Sequence, residues 1–332
     1  MQKGMGKKVN LLLVSAFLAV FLTVSWSVSR AEYPERPINW IVNTTPGGGA
    51  DLSNRALAKY AEKILGQPIL VVNKPGAGGT LATGLLAGAK PDGYTIGDAT
   101  FSPLAIGPHM AEVTYDPLKD FEYIMGYGEW MYGFLVKADS PFKTFHDIVN
   151  YAKANPGKIK IAMYAQASPH GLVAGGMEKV AGIKWDVVLF KGGTEAMTAL
   201  LGGHVDANSQ VADIAVPQIK AGKVRLLAST SDMRWKWVPD VPTLRELGYN
   251  VAVTSYLATG TPKGVPKPIL DKLRAVLEKA MGDPEFLKVM ENFYFKVEYR
   301  SPEEYRKIVE EGYKEYGKFI MEMGLHKSQQ KK

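Results

Sequence analysis

Asn43-Thr44-Thr45-Pro46-Gly47-Gly48-Gly49-Ala50-Asp51 separates an apolar strand from an amphipathic helix. Before it, Ile38-Asn39-Trp40-Ile41-Val42 reads as a short buried strand. After it, Leu52, Ala56, Leu57, Tyr60, Ala61 and Ile64 recur at helical spacing. Three consecutive glycines leave main-chain N–H groups uncovered by side chains, so an anion can approach them closely. A strand, a glycine-rich turn and a helix N-terminus together form an anion cradle. Asp51 stands where the helix begins and is expected to N-cap the amides of residues 53 and 54. A carboxylate there repels a bound anion, which leaves the contacts to Gly47, Gly48 and Gly49.

The same arrangement recurs outward from this loop. Pro75-Gly76-Ala77-Gly78-Gly79-Thr80 follows a second strand and opens a helix. It lacks the spacing of a dinucleotide fingerprint, follows the wrong strand and has no acidic residue about twenty positions on. Tyr164-Ala165-Gln166-Ala167-Ser168-Pro169-His170 follows a third strand, with Ser168 placed to cap a helix or to meet a ligand. Lys191-Gly192-Gly193-Thr194-Glu195 is a fourth instance, with Thr194 as its expected cap. Glycine loops and helix N-termini turned to one cleft suit a carboxylate without requiring an arginine.

Strands are expected at 38–43, 69–73, 94–99, 132–137, 158–163, 185–190, 205–210, 224–229 and 251–257. They alternate with helical patterns, which implies an α/β protein with helices on the faces of its sheets. Thr144 before Asp147, Asp283-Pro284 and the Ser301–Glu304 capping box mark helix starts. Behind Ser301, Tyr305, Ile308, Val309, Tyr316, Phe319, Ile320 and Met323 form a stripe that reads as core. No linker separates two halves, so the chain is expected to cross between domains on strands near 130–137 and 251–258. That places domain 1 at 32–131 and 252–332 and domain 2 at 132–251. Glu129-Trp130-Met131-Tyr132 at the first crossing reads as hinge packing or as an aromatic wall.

At 332 residues the chain is long enough for two cores. Residues 1–31 read as a signal peptide. Lys3, Lys7 and Lys8 precede an apolar run from Leu11 to Val28, and Ser29-Arg30-Ala31 is a cleavage pattern with the cut after Ala31. An uncleaved anchor is the alternative, and Ser15, Thr23, Ser25 and Ser27 dilute it. The protein is therefore expected outside the cytoplasm. Lys3, Lys7, Lys8 and Arg30 lie in the leader with no acidic residue, so the formal charge falls from +7 to +3. This mild, dispersed balance gives no nucleic-acid footprint. The chain has no cysteine, which excludes disulfides, thiol nucleophiles, thiolate metal sites and a lipidated cysteine at the leader junction. His109, His146, His170, His204 and His326 form no H-x-x-x-H pair, so neither metal nor cofactor is expected.

Further landmarks join these loops. They are Tyr33-Pro34-x-Arg36-Pro37-Ile38, Leu65-Gly66-Gln67-Pro68, Val72-Asn73-Lys74-Pro75-Gly76, Pro91-Asp92-Gly93-Tyr94-Thr95, Leu200-Leu201-Gly202-Gly203-His204-Val205-Asp206 and Val241-Pro242-Thr243-x-x-Glu246-x-Gly248-Tyr249. With them the chain resembles the Bug-type solute receptors of tripartite tricarboxylate transporters over essentially its whole mature length. The resemblance implies a two-domain clamshell of the periplasmic-binding-protein type 2 class, with mixed sheets flanked by helices. It implies closure on a small organic acid, a di- or tricarboxylate or an aromatic acid, and delivery to large and small membrane subunits. A monomer is expected. Carried over by position, the ligand site involves Thr45, Gly47, Gly48, Gly49, Asp51, Gly78, Ser168, His170, Lys191 and Gly192.

Two segments depart from the family. Its glycine- and serine-rich loop is here Ala165-Gln166-Ala167-Ser168-Pro169, where Pro169 removes an amide. Its Trp-x-Gly pattern near the return crossing is here Ser255-Tyr256-Leu257-Ala258-Thr259-Gly260. A receptor feeding a sensor kinase is one alternative, and a secreted hydrolase using Ser168 and His170 is another. No G-x-S-x-G elbow accompanies that pair. The protein is accordingly expected not to turn over aryl or alkyl esters; turnover that disappears in Ser168→Ala would establish the hydrolase instead.

Overall fold

The computed structural model describes residues 32–164 and 166–330. The signal peptide and its cleavage site lie outside the described residues. The fold is that of the compact unit Arg36–Lys332. Its strands in chain order are β1 (Ile38–Val42), β2 (Ile69–Asn73), β3 (Thr95–Asp98), β4 (Phe121–Trp130), β5 (Tyr132–Lys137), β6 (Ile159–Tyr164), β7 (Trp185–Phe190), β8 (Ala207–Val211), β9 (Val224–Ser229), β10 (Ser255–Pro262) and β11 (Lys296–Arg300). Its first helices are α1 (Gly49–Leu65), α2 (Thr80–Ala87), which follows a short helical turn at Ala77–Gly79, and the brief α3 (Phe101–Ala105).

Two mixed sheets result. The first has the order β11-β4-β10-β3-β1-β2 and the second β7-β6-β8-β5-β9. In the first, β1 runs parallel to both β2 and β3, while β10 is antiparallel to β3 and β4. In the second, β6 is parallel to β7 and β8, and β5 is antiparallel to β8 and β9. Every strand of the second sheet falls between Tyr132 and Ser229. Met131 alone separates β4 from β5 on the way out, and the chain returns through residues 230–254 into β10.

The β1–α1 unit follows from its sequence. Ile38, Trp40 and Val42 are fully buried, as alternation in a half-buried strand requires. In α1, Ala56, Leu57 and Ala61 are buried as expected, but Ile64 is 46% exposed. The buried face is rotated toward Ser53 and Asn54 because α1 carries a polar contact into the core. Asn54 Nδ2 donates to Asp98 Oδ1 at 2.7 Å, and the Tyr127 hydroxyl donates to Asn54 Oδ1 at 2.7 Å. The Asn43 amide donates to Asp98 Oδ2 at 2.9 Å. Asp98 thereby ties β3, the first loop and α1 together.

Two strands run where none was expected from the sequence, β4 and β11. Phe121–Trp130 is buried on both faces, so the alternation that marks a half-buried strand is missing. Its glycines permit close approach: a Cβ on Gly128 would stand 2.7 Å from the Lys296 carbonyl of β11. The return strand also begins later than expected, at Ser255 rather than Val251, because residues 251–254 are irregular.

The remaining helices are α4 (Gly107–Met110), α5 (Phe145–Ala154), α6 (Pro169–Ala181), α7 (Gly193–Leu201), α8 (Ala212–Lys220), α9 (Lys267–Ala280), α10 (Pro284–Asn292), α11 (Pro302–Glu322) and α12 (Lys327–Gln330). Capping boxes open α5 and α11, and Asp283 caps α10. Helix α11 begins against the first sheet, where the Tyr305 hydroxyl donates to the Ala99 carbonyl at 2.8 Å. It ends in the cluster of Val173, Met177 and Val251 through Tyr316, Phe319 and Ile320. Asp98→Ala is expected to cost about 3 kcal/mol in urea unfolding, since it strands buried donors on Asn43 and Asn54; a loss under about 1 kcal/mol would deny Asp98 this role.

Candidate functional site

Parallel strands that each feed a helix place those helix N-termini at the carboxyl ends of the strands, where ligands of α/β proteins collect. In the first sheet this edge carries the Asn43–Asp51 loop after β1 and the Gly76–Gly79 turn after β2. The two are neighbours: a Cβ on Gly79 would lie 3.1 Å from Asn43 Nδ2. In the second sheet the edge carries the starts of α6, α7 and α8, after β6, β7 and β8.

The first loop differs from expectation at Asp51. The residue capping α1 is Gly48, with no side-chain cap bond. Asp51, buried in the first turn, accepts from the Gly47 amide at 2.8 Å, from Arg55 Nε at 3.0 Å and from Asn73 Nδ2 at 2.8 Å. Burial opposes its ionisation, but Arg55 and these donors outweigh burial and hold its carboxyl below the ordinary value. The carboxylate thus closes the loop backward instead of capping residues 53 and 54, and it occupies the Gly47 amide. Gly48 N–H makes only a long contact, 3.4 Å, to the Thr45 carbonyl. The amides that begin α1 have no partner within the helix. Gly49 is buried, and a Cβ there would meet the Phe295 ring at 2.6 Å. Its side-chain direction therefore belongs to packing while its amide belongs to the helix end. Gly78 takes φ 66°, a left-handed conformation that glycine adopts without strain.

On the second sheet, Ser168 caps α6. Its hydroxyl accepts from the Gly171 amide at 3.4 Å and donates to the Tyr164 carbonyl at 3.2 Å. Pro169 stands at the first helical position, where a missing N–H costs nothing. His170 is fully buried, with Nδ1 2.8 Å from Ser209 Oγ and Nε2 without a partner. Its ring packs against Tyr164 and Tyr132. Burial pushes its pKa down to about 3, which keeps the imidazole neutral. Lys191 is exposed, and its amide donates to Glu195 Oε2 at 3.0 Å. Gly192, not Thr194, caps α7, and its Cβ direction is open.

Three residues that sequence reasoning left out of the site join these two edges. Tyr132 opens β5, and its hydroxyl lies within reach of Ser102 and Ser255, whose own hydroxyls are 2.8 Å apart. Tyr164 ends β6 beneath His170. Asp213, in the first turn of α8, directs its carboxyl at the Gly49 amide of α1. An acid placed just after a strand and at the start of a helix was the legible sign of Asp213. That it reaches the other sheet was not legible. Trp130, a candidate aromatic wall, packs edge-on against Phe295 with ring centroids 4.9 Å apart.

Residues 54–325 match the model of the tripartite tricarboxylate transporter family receptor. A UPF0065 protein in the gbd 5'region of Cupriavidus necator is 36% identical over 300 residues, 90% of each chain. The structure of the periplasmic binding protein BugD superposes with a TM-score of 0.80 at 31% identity, covering 89% of this chain and 99% of that one. MatC from Rhodopseudomonas palustris, solved with bound malate, superposes with a TM-score of 0.79 at 27% identity, covering 87% and 100%. The chain belongs to the tripartite tricarboxylate transporter receptor family. It is a solute-binding receptor of the Bug type, from a family of periplasmic carboxylate-binding proteins that serve transport.

At Gly48 the backbone has φ −71°, and a Cβ there meets only the Thr45 carbonyl at 3.5 Å. Gly48→Leu is therefore expected to fold with a melting temperature within about 3 °C of the parent. It should lose at least about tenfold in ligand affinity by calorimetry, because the new side chain covers the helix end. Unchanged affinity would remove this loop from the site.

Proposed function

We propose that this receptor captures a small organic acid in a cleft between the two sheets. The ligand's carboxylate is held by main-chain amides at Gly48 and Gly78 of the first sheet, with Gly49 lining the loop between them, and its remainder meets Ser168, His170, Lys191 and Gly192 of the second. Thr45 shapes the loop. Gly47 and Asp51 brace it through their mutual hydrogen bond. The observation that carries this reading is that helices of both sheets begin at the carboxyl ends of their parallel strands, while Met131 alone joins β4 of one sheet to β5 of the other. Such ends attract anions through oriented N–H groups, without a cationic side chain.

The two sheets are read as the cores of the two lobes, 32–131 with 252–332 and 132–251, moving about the crossings at Met131 and 251–254. Closure brings amides from both lobes onto the ligand, and exclusion of water strengthens each hydrogen bond. The bound malate of the MatC structure supports a hydroxydicarboxylate among the ligands. In this reading the protein works as a monomer outside the cytoplasm after cleavage beyond Ala31, and it delivers its ligand to the large and small membrane subunits of a tripartite transporter. No bond is made or broken in the ligand.

A thermal-shift screen over malate, succinate, citrate, benzoate, nicotinate and glutamate, followed by calorimetry of the hits, tests this reading. At least one carboxylate is expected to bind with a micromolar or tighter Kd, worth about 8 kcal/mol. The corresponding amides and alcohols are expected not to bind. Equal binding of the neutral analogues would overturn the carboxylate assignment.

A further inference from the structure

Three consecutive aromatic residues, Phe293-Tyr294-Phe295, join the end of α10 to β11. They close the helix in a turn with two hydrogen bonds. The Tyr294 amide donates to the Glu291 carbonyl at 3.1 Å, and the Phe295 amide donates to the Met290 carbonyl at 2.9 Å. The residue at the bend of such a turn is left-handed, and Tyr294 takes φ 59°. Glycine adopts that conformation freely and a tyrosine does not, so the turn alone does not account for the side chain found there.

The Tyr294 ring reaches residues of the second sheet's half. It stands edge-on to Trp237, with ring centroids 5.1 Å apart and planes at 86°. Lys220, the last residue of α8, sets its Nζ 4.9 Å from the Tyr294 ring centroid and donates to the Tyr294 hydroxyl at 3.2 Å. Tyr294 thus packs on the core cluster that holds Leu135 and Trp235. Ile320 of α11 also reaches a core of that half, but it is fully buried there. Tyr294 is only half-buried, so its contact can part without opening a core.

The neighbours of Tyr294 face the carboxylate loop. The Phe295 ring and the Phe293 Cβ fill the space beside Gly49, where an added Cβ would meet them at 2.6 and 3.0 Å. The Phe295 ring is also edge-on to Trp130, the last residue of β4 before the crossing. The two hydrogen bonds of the turn make these three residues one stiff unit, so a shift of Trp237 and Lys220 against Tyr294 is felt at the start of α1. We propose that Phe293-Tyr294-Phe295 is a clasp between the two lobes. Tyr294 is its positioning residue: docked on Trp237 and Lys220, it registers the second lobe against the start of α1 and holds the cleft closed over the ligand. This rests on the carboxylate-receptor reading and its two lobes, and adds the residue that sets how long the ligand stays. A contact made only in the closed form raises the closed population, and its loss lowers affinity accordingly.

Calorimetry and stopped-flow dissociation, run with whichever of malate, succinate and benzoate the wild type binds, test the clasp. Tyr294→Gly removes the ring and gives the turn the residue it favours, so it is expected to melt within about 3 °C of wild type. Its affinity should nonetheless fall about tenfold, with dissociation faster by a similar factor, as loss of one aromatic pair and one exposed cation–π contact implies. Tyr294→Phe keeps the ring against Trp237 and should recover most of that loss. Trp237→Ala should weaken binding too, and combined with Tyr294→Gly it should add little further. Should Gly not fold, Tyr294→Asn, which also tolerates the left-handed turn, takes its place. Wild-type affinity and dissociation rate in the folded variant, a Tyr294→Phe as weak as the Gly variant, or fully additive losses with Trp237→Ala would overturn the clasp alone. Failure of the wild type to bind any of the acids would overturn the carboxylate reading, and the clasp with it.

Discussion

Met131 is all that separates the first sheet from the second where the chain first passes between them. A passage this short holds the last residue of β4 and the first of β5 within two peptide units, so the sheets share a boundary at their ligand-facing edge. Tyr132 is fixed there by backbone geometry before any side-chain contact is made. Its hydroxyl then reaches Ser102 and Ser255 of the first sheet, and its ring supports His170 of the second. Whatever moves about this crossing moves the helix N-termini of one sheet against those of the other.

The site as proposed relies on main-chain donors. Main-chain amides are fixed by the helices they begin, so they need no reorganisation to meet an anion, and they carry no mobile charge to be neutralised. Side chains have a different role. Asp51 spends its charge on Gly47, Arg55 and Asn73, which stiffens the loop and leaves the helix end unshielded. Asp213 of α8 turns its carboxyl toward the Gly49 amide at that end.

Much of this was legible along the chain. Strand–glycine–helix junctions at Gly47–Gly49, Gly76–Gly79, Ser168 and Gly192 are local patterns, and local patterns survive into the structure because the residues involved are neighbours in sequence. The apolar run Ile38–Val42 announced β1, and Ser301 with Glu304 announced α11 by its capping box. Strand β4 escaped because burial of both faces erases alternation. Asp51 was placed correctly at the helix start but with the wrong partner, because Asn73 and Arg55 complete its coordination and Asn73 comes from another strand. Thr194 gave way to Gly192 because the extended backbone of Gly192 starts the helix two residues earlier.

The sequence alone determined the family, the alternation of strands and helices, the glycine loops and the absence of cysteine chemistry. Each of these is a property of residue order and composition. Tertiary structure alone decided which amides remain for a ligand, which tyrosines line the junction and which carboxyl meets Gly49. Some of those contacts join residues more than a hundred positions apart, as Asp213 and Gly49 are. Their distances depend on how two sheets pack, and no periodicity within either sheet encodes that.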